Sequence, residues 1–159
     1  MSNWQYSDPT NRVVFRPTEN GGTESVLAND SAIVAWVATG NTILPAPALP
    51  PALQASNAIT AGVAVTSTAN GVALNGTYAC DKATTDWMAD ETLSIAINGT
   101  FADGGATLAW PDTQGNLHTF ASVTEFKAFA TQLAAYVANV RKFATGQINS
   151  LPANTITIP

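Results

Sequence analysis

The pattern of apolar positions between residues 107 and 140 predicts a β-hairpin followed directly by an amphipathic helix. Strand formers at 107–110 and 116–120 flank a turn at 111–115, where proline, aspartate and glycine favour a chain reversal. Ser122 and Glu125 then form a capping box, in which the hydroxyl accepts from the Glu125 N–H and the carboxylate reaches back. The apolar side chains that follow share one helix face: Phe126, Phe129, Leu133, Tyr136, Val137 and Val140.

The first forty residues predict a smaller lobe. Residues 12–16 and 23–27 favour strands, with a turn at 18–22 between them. Asn29 or Asp30 can cap a short helix that stops near Gly40. That helix is expected to pack on the sheet through Ile33, Val34, Trp36 and Val37. A lobe of this size is near the limit of independent stability. We therefore expect contacts with a partner or with another copy to stabilise it.

Residues 44–51 contain four prolines. Each proline removes a backbone donor and restricts the residue before it, so we expect an extended, semi-rigid spacer. A docking motif for a proline-recognising domain is the alternative.

The segments after the spacer predict further hairpins and a helix. Residues 62–66 and 72–74 flank Asn70-Gly71, a strong hairpin signal, and 75–80 favours another turn and a short strand. Asp81 should cap a helix that ends at Asn98-Gly99. This helix carries Ala83, Trp87, Met88, Glu91 and Ile95.

Together these elements predict an α+β protein, with small antiparallel hairpins packed by two to three short helices. It would have two lobes joined by a Pro-rich spacer. We assign 1–43 to an N-terminal lobe of β-hairpin plus helix and 44–57 to the linker. Residues 58–145 form an α+β domain in this assignment, and 146–159 an extended C-terminal tail.

The tail alternates like a strand at 155–158 but has no obvious partner in its own chain. Four of its side chains are too apolar to be left in water: Ile148, Leu151, Ile156 and Ile158. We expect them to bind a neighbouring molecule, by adding an edge strand to an exposed sheet. A disordered or self-packed tail is the alternative.

Composition limits the partners. Only 11% of residues are charged and the net charge is −5, which disfavours a nucleic-acid surface because such surfaces need clustered basic residues. No apolar run is long enough for a membrane span. The first residues lack the pattern of a signal peptide, so we expect assembly in a cytoplasm. Cys80 is the only cysteine, which leaves no intrachain disulfide, and we expect it to be a small buried hydrophobe.

No pattern predicts catalysis, a cofactor or a metal site. His118, the one histidine, and Cys80 fall short of the usual three or four metal ligands. We expect His118 to be a strand residue bonded to a neighbouring carbonyl. Asp90 and Glu91 are adjacent on a predicted helix and point to different sides, which does not suit acid–base work on one bond. All four tryptophans are expected as core anchors: Trp4, Trp36, Trp87 and Trp110.

Two stretches resemble bacteriophage sequences. Residues 4–7, 13–15, 34–42 and 45–46 resemble the opening of small proteins encoded beside tail fibres, the tail fibre assembly proteins. The second half is similar to a phage domain of unknown function found in the same gene neighbourhoods. The matching segments there are 74–78, 107–112, 118–120 and 126–129. These motifs are structural, so the resemblance implies a setting and not a reaction.

The resemblance implies a non-enzymatic structural protein of the phage tail tip, baseplate or tail-fibre region. It would join or decorate larger components of the virion tail after assembly in the host cytoplasm. Its expected partners are phage tail or fibre proteins, or copies of itself. The alternative is a transient tail fibre assembly chaperone that is absent from the mature virion. An enzyme such as a glycan hydrolase is disfavoured, because the carboxylates are few and scattered.

Overall fold

The computed structural model describes residues 3–68 and 73–159 and divides the chain into two compact units, 1–49 and 50–159. The described residues contain four helices and eight strands, so the chain is an α+β protein, as the sequence predicts.

Unit 1 is a three-stranded antiparallel sheet followed by one helix. The strands pair in chain order: β1 (Gln5–Tyr6), β2 (Val13–Pro17) and β3 (Thr23–Leu27). The helix α1 spans Ser31–Ala38, and Asp30 caps it by accepting the Ala32 N–H at 2.8 Å. The predicted strands and cap of this lobe are therefore confirmed.

The core of unit 1 is small. Trp4, Val14 and Ile33 are buried, and the Arg16 guanidinium lies 4.6 Å from the centre of the Trp4 ring. The predicted packing of Val34 and Val37 is wrong, because both side chains are exposed. An eight-residue helix turns only a narrow strip toward the sheet, and Ile33 occupies the centre of that strip.

The Pro-rich linker assigned to 44–57 includes the start of a helix, whereas the extended spacer was predicted over 44–51. Residues 45–50 have no helix or strand, but α2 spans Pro51–Ala61. Proline suits the first position of a helix, because the N–H it lacks would have had no partner within the helix there. This helix raises the number of described helices above the two to three predicted.

Unit 2 contains a three-stranded sheet with β4 (Val63–Ser67) in the centre. On one side β4 pairs antiparallel with β5 (Gly76–Tyr78) and on the other parallel with β8 (Thr155–Ile158). Of the strand expected at 72–74, residues 73 and 74 lie in a turn and residue 72 lies outside the described residues, and the pairing with β4 begins at Gly76. The predicted Asn70-Gly71 turn lies outside the described residues.

The C-terminal tail has a partner in its own chain, which corrects the prediction that it binds a neighbouring molecule. Ile156 and Ile158 lie on one face of β8 and are buried in the core of unit 2. Ile148 packs partly buried against the same core, whereas Leu151 stays exposed. The parallel pairing with β4 joins residues about ninety positions apart, so no local pattern could reveal it.

The predicted hairpin and capping box are confirmed. Strands β6 (Leu108–Pro111) and β7 (Leu117–Phe120) pair antiparallel, and α4 (Val123–Ala144) follows. The Ser122 hydroxyl accepts the Glu125 N–H at 3.3 Å, and the Glu125 carboxylate accepts the Ala121 N–H at 2.8 Å. Two otherwise unpaired donors at the start of α4 are thus satisfied.

The core of unit 2 surrounds α4, whose predicted apolar face is entirely buried. Phe126 makes an edge-to-face contact with Phe120 at 5.3 Å between ring centres, and Phe120 also stacks near Phe129 at 5.0 Å. Such pairs stabilise a core beyond the apolar area they bury. Helix α2, strand β7, strand β8 and helix α3 (Lys82–Asn98) all contact α4.

The first testable prediction concerns α4. Ser122→Ala should lower the free energy of unfolding by about 1 kcal/mol, because the N-cap bond is lost. Phe129→Ala should lower it by about 3–5 kcal/mol, because a cavity opens in the core. Urea denaturation of the full chain measures both values. If Ser122→Ala proves the more damaging change, the described role of α4 is wrong.

The second prediction concerns β8. Ile158→Ala should destabilise the chain by about 2–5 kcal/mol, because a fully buried side chain is truncated. Leu151→Ala is the matched control in the same tail, and its exposed side chain should change stability by no more than about 0.5 kcal/mol. Equal effects of the two variants in thermal unfolding would contradict the burial of β8 in unit 2.

Candidate functional site

Helix α3 presents large apolar side chains to solvent. Asp81 caps its start by accepting the Thr84 N–H at 2.8 Å, and Gly99 ends it with φ near +76°. Met88 and Ile95 are buried on the inner face. On the outer side Trp87, Leu93 and Ile97 are 61%, 59% and 71% exposed. The expectation that Trp87 anchors the core is therefore wrong.

An apolar cleft of about 500 Å³ lies between α3 and α4. Its walls are mostly methyl and methylene groups. They come from Thr85, Met88, Ala89, Thr92, Leu93, Ala96, Lys127, Ala130, Thr131, Leu133 and Ala134. This volume lies in the range of sites that bind small molecules or receive protein side chains. Leu93 belongs both to the cleft and to the exposed side of α3, so the two features form one surface, here called the α3–α4 surface.

The two helices of this surface differ in charge. Helix α3 carries one lysine and three carboxylates, a net charge of −2. Helix α4 carries three basic residues and one glutamate, a net charge of +2. Lys127 lies in the cleft wall, whereas Asp86 and Asp90 are exposed on α3. The surface therefore combines an apolar cleft, in which Lys127 is the one charged lining residue, with two exposed carboxylates on α3.

A second cluster, of Asp112 and His118, lies beside the Thr113 N–H, which joins the β6–β7 turn to β5 by donating to the Thr77 carbonyl at 2.8 Å. The Asp112 carboxylate accepts the backbone N–H groups of Gln114 and Asn116 at 2.8 and 2.9 Å. Its second oxygen lies 3.0 Å from the Asn116 side-chain nitrogen and 3.2 Å from His118 Nε2. These bonds, led by the one from the Asn116 side chain, hold the pKa of Asp112 well below its usual range.

His118 is confirmed as a strand residue bonded to a carbonyl, because its Nδ1 lies 2.9 Å from the Ala73 oxygen. Its Nε2 lies 3.2 Å from the Asp112 carboxylate, so both ring nitrogens face an oxygen atom. A Cβ on Gly76 would lie 3.0 Å from Nε2, which explains why β5 has glycine at this point.

This polar cluster stabilises the fold of unit 2. The side chains of His118 and Asp112 are 13% and 6% exposed, which leaves little room for a substrate. The neighbouring Tyr78 hydroxyl donates to the Leu74 carbonyl at 2.9 Å, and burial raises the pKa of Tyr78. What the cluster does is fix the position of the hairpin against β5.

Cys80 is buried, as expected, and does not have the surroundings of a reactive thiol. Burial raises the pKa of Cys80 to about 11, and the Asp81 carboxylate adds to the shift. Within residues 3–68 and 73–159, no three His, Cys, Asp or Glu side chains cluster as metal ligands would. None of the helices described there is long and apolar enough to cross a bilayer.

The residues predicted to bind a partner do not form one surface. Ile156 and Ile158 complete the core of unit 2, Ile148 is partly buried against it, and Leu151 alone is exposed. The exposed apolar residues of α3 were missed. A signal existed in the sequence, since apolar side chains occur on all sides of α3 and not on one stripe, so no single face could bury them all.

The third prediction uses the lowered pKa of Asp112. The stability that its carboxylate contributes should be present in full above the unfolded pKa, near 4, and lost as the pH falls toward the lower folded pKa. Asp112→Asn should therefore destabilise the chain at pH 7 and lose that difference from wild type in acid. Gln114→Ala keeps the backbone donor and serves as the control. If the difference in stability between wild type and Asp112→Asn grew as the pH fell, the stabilising role assigned to the ionised Asp112 carboxylate would be wrong.

Comparisons of the chain with protein-family models, with curated proteins and with solved structures find no match. The resemblance to phage tail fibre assembly proteins and to a phage domain therefore stays a prediction. The site is defined by its own geometry, which is an apolar cleft beside an apolar, exposed helix face.

Proposed function

We propose that this chain is a non-enzymatic bacteriophage structural protein of the tail tip, baseplate or tail-fibre region. It joins or decorates larger tail components, and it functions in the virion tail after assembly in the host cytoplasm. The resemblance of residues 4–46 to tail fibre assembly proteins supports the setting. So does the similarity of residues 74–129 to a phage domain from the same gene neighbourhoods.

The α3–α4 surface is the observation that carries the proposal. Exposed apolar patches beside polar residues mark sites where proteins bind one another. Here Leu93 and Ile97, four residues apart on one helix, are more than half exposed, and Leu93 also lines the apolar cleft. In a chain with only 11% charged residues, such a surface is best explained by a protein partner that covers it.

The polar side chains support a structural role over a catalytic one. His118 and Asp112 are bonded to each other and nearly buried, and the bonds of Asp112 hold the β6–β7 turn in place. The cleft wall offers Lys127 and three threonines, but no carboxylate, histidine or cysteine. A lysine or threonine acts in acid–base or nucleophilic chemistry when a neighbouring group activates it, and the cleft wall supplies no acidic or imidazole partner for that purpose.

A transient tail fibre assembly chaperone is the second candidate. The cleft favours it in one respect, since its shallow walls of alanine, threonine and leucine could hold an apolar segment of a fibre subunit and release it. A chaperone would use the same surface but would leave before the particle is complete.

The fourth prediction tests the proposal on purified phage particles. Quantitative mass spectrometry should find this chain at a fixed ratio to the tail proteins. Leu93→Asp should reduce that ratio at least about tenfold, because it places a charge on the apolar docking surface. Leu117→Asp is the matched control, since Leu117 is equally exposed but lies outside the cleft. Absence of the wild-type chain from particles, with presence in assembly intermediates, would favour the chaperone.

A further inference from the structure

We infer that the α3–α4 surface binds a second copy of this chain, with α3 of each copy seated against α4 and the cleft of the other. The inference rests on the proposed function in that it takes the α3–α4 surface to be a docking surface. It goes further by naming the occupant. Apolar fit, charge and area each support a second copy.

The apolar groups of the surface are self-complementary. Leu93 and Ile97 project from the exposed side of α3, and the adjoining cleft supplies a concave apolar surface of suitable size. On the α4 side, Ala130 and Ala134 line the cleft with small side chains, so another helix can approach closely. The same surface therefore presents both the projecting side chains and the groove that a twofold-symmetric contact between two identical copies requires.

The charges on α3 and α4 favour one of the two possible orientations of the twofold axis. A twofold axis along the cleft places α3 of each copy over α4 of the other. Asp86 and Asp90 on α3 then face the stretch of α4 that carries Lys127, once on each side of the axis. An axis across the cleft would place α3 on α3 and oppose Asp86 and Asp90 to their own copies. Opposite charges across an interface guide association and disfavour the wrong register.

The area suits a reversible dimer. Helix α3 has 17 residues, which gives a length of about 25 Å at about 1.5 Å per residue. Two packed helices are about 20 Å wide, so this face measures about 500 Å² per partner, or about 1,000 Å² in total, which is the size of a weak, transient interface. Lys82 and Asp86 already pair within α3, so Asp90 is the carboxylate expected nearest to the Lys127 of the second copy.

The fifth prediction is tested with the full chain by sedimentation equilibrium over a range of concentrations. Wild type should show a monomer–dimer equilibrium. Leu93→Asp and Ile97→Asp should each raise the dissociation constant at least about thirtyfold, since each buries a charge in an apolar contact. Leu117→Asp should leave it unchanged. Circular dichroism should show the same thermal midpoint for all three variants at dilute concentration, because the substituted side chains are exposed.

A charge series tests the arrangement itself. Lys127→Glu should weaken the dimer about tenfold or more by opposing acid to acid, whereas Lys127→Arg should retain it. Added salt should weaken the wild-type dimer. The inference is overturned if wild type stays monomeric to about 1 mM, or if Leu93→Asp and Leu117→Asp weaken the dimer equally. It is likewise overturned if Lys127→Glu dimerises as well as wild type.

The inference and the proposed function fail in different ways. A wild-type chain that is present in particles but monomeric in solution would overturn the dimer and leave the tail role standing. A chain that dimerises through α3 but is missing from particles would overturn the tail role and leave the dimer standing.

Discussion

The buried face of α4 is the constraint on which the rest of unit 2 depends. Helix α2, helix α3, strand β7 and strand β8 each cover their apolar side by contacting this one helix. Phe126 and Phe129 are fully buried there, and burial of such side chains stabilises a fold by about 1.5–3 kcal/mol each. The capping box at Ser122 sets where this helix begins, and so sets the register of everything that packs on it.

The closing strand β8 removes most of the apolar side chains of the tail from the surface of unit 2. Because Ile156 and Ile158 complete the core of unit 2, the C-terminal segment cannot be a free arm without exposing that core. The apolar area left for a partner lies instead on α3 and in the cleft beside it. We therefore expect a partner to contact α3 and not the C-terminal tail. The expectation that the chain has a protein partner stays a prediction.

Local signals in the sequence predict the elements whose causes are local. Ser122 with Glu125, Asp81 with Gly99, and the turn around Asp112 all act within a few residues, and the structure has a cap, a stop or a turn at each. The errors come from nonlocal causes. Pairing of β8 with β4 depends on the whole intervening chain, and the exposure of Trp87 depends on which side of α3 meets α4. The start of α2 at Pro51 was missed for a different reason. Proline disfavours the interior of a helix, yet it suits the first turn.

The central claim is that the exposed face of α3 is covered when this protein performs its role. Hydroxyl-radical footprinting of the free chain and of the assembled state measures it most directly. Leu93 is exposed and lines the cleft, whereas Leu133 is fully buried, so the two residues provide a probe and an internal reference in one experiment. We predict oxidation of Leu93 in the free chain and strong protection after assembly, with Leu133 slow in both. Equal oxidation of Leu93 in the free and assembled states would contradict this claim.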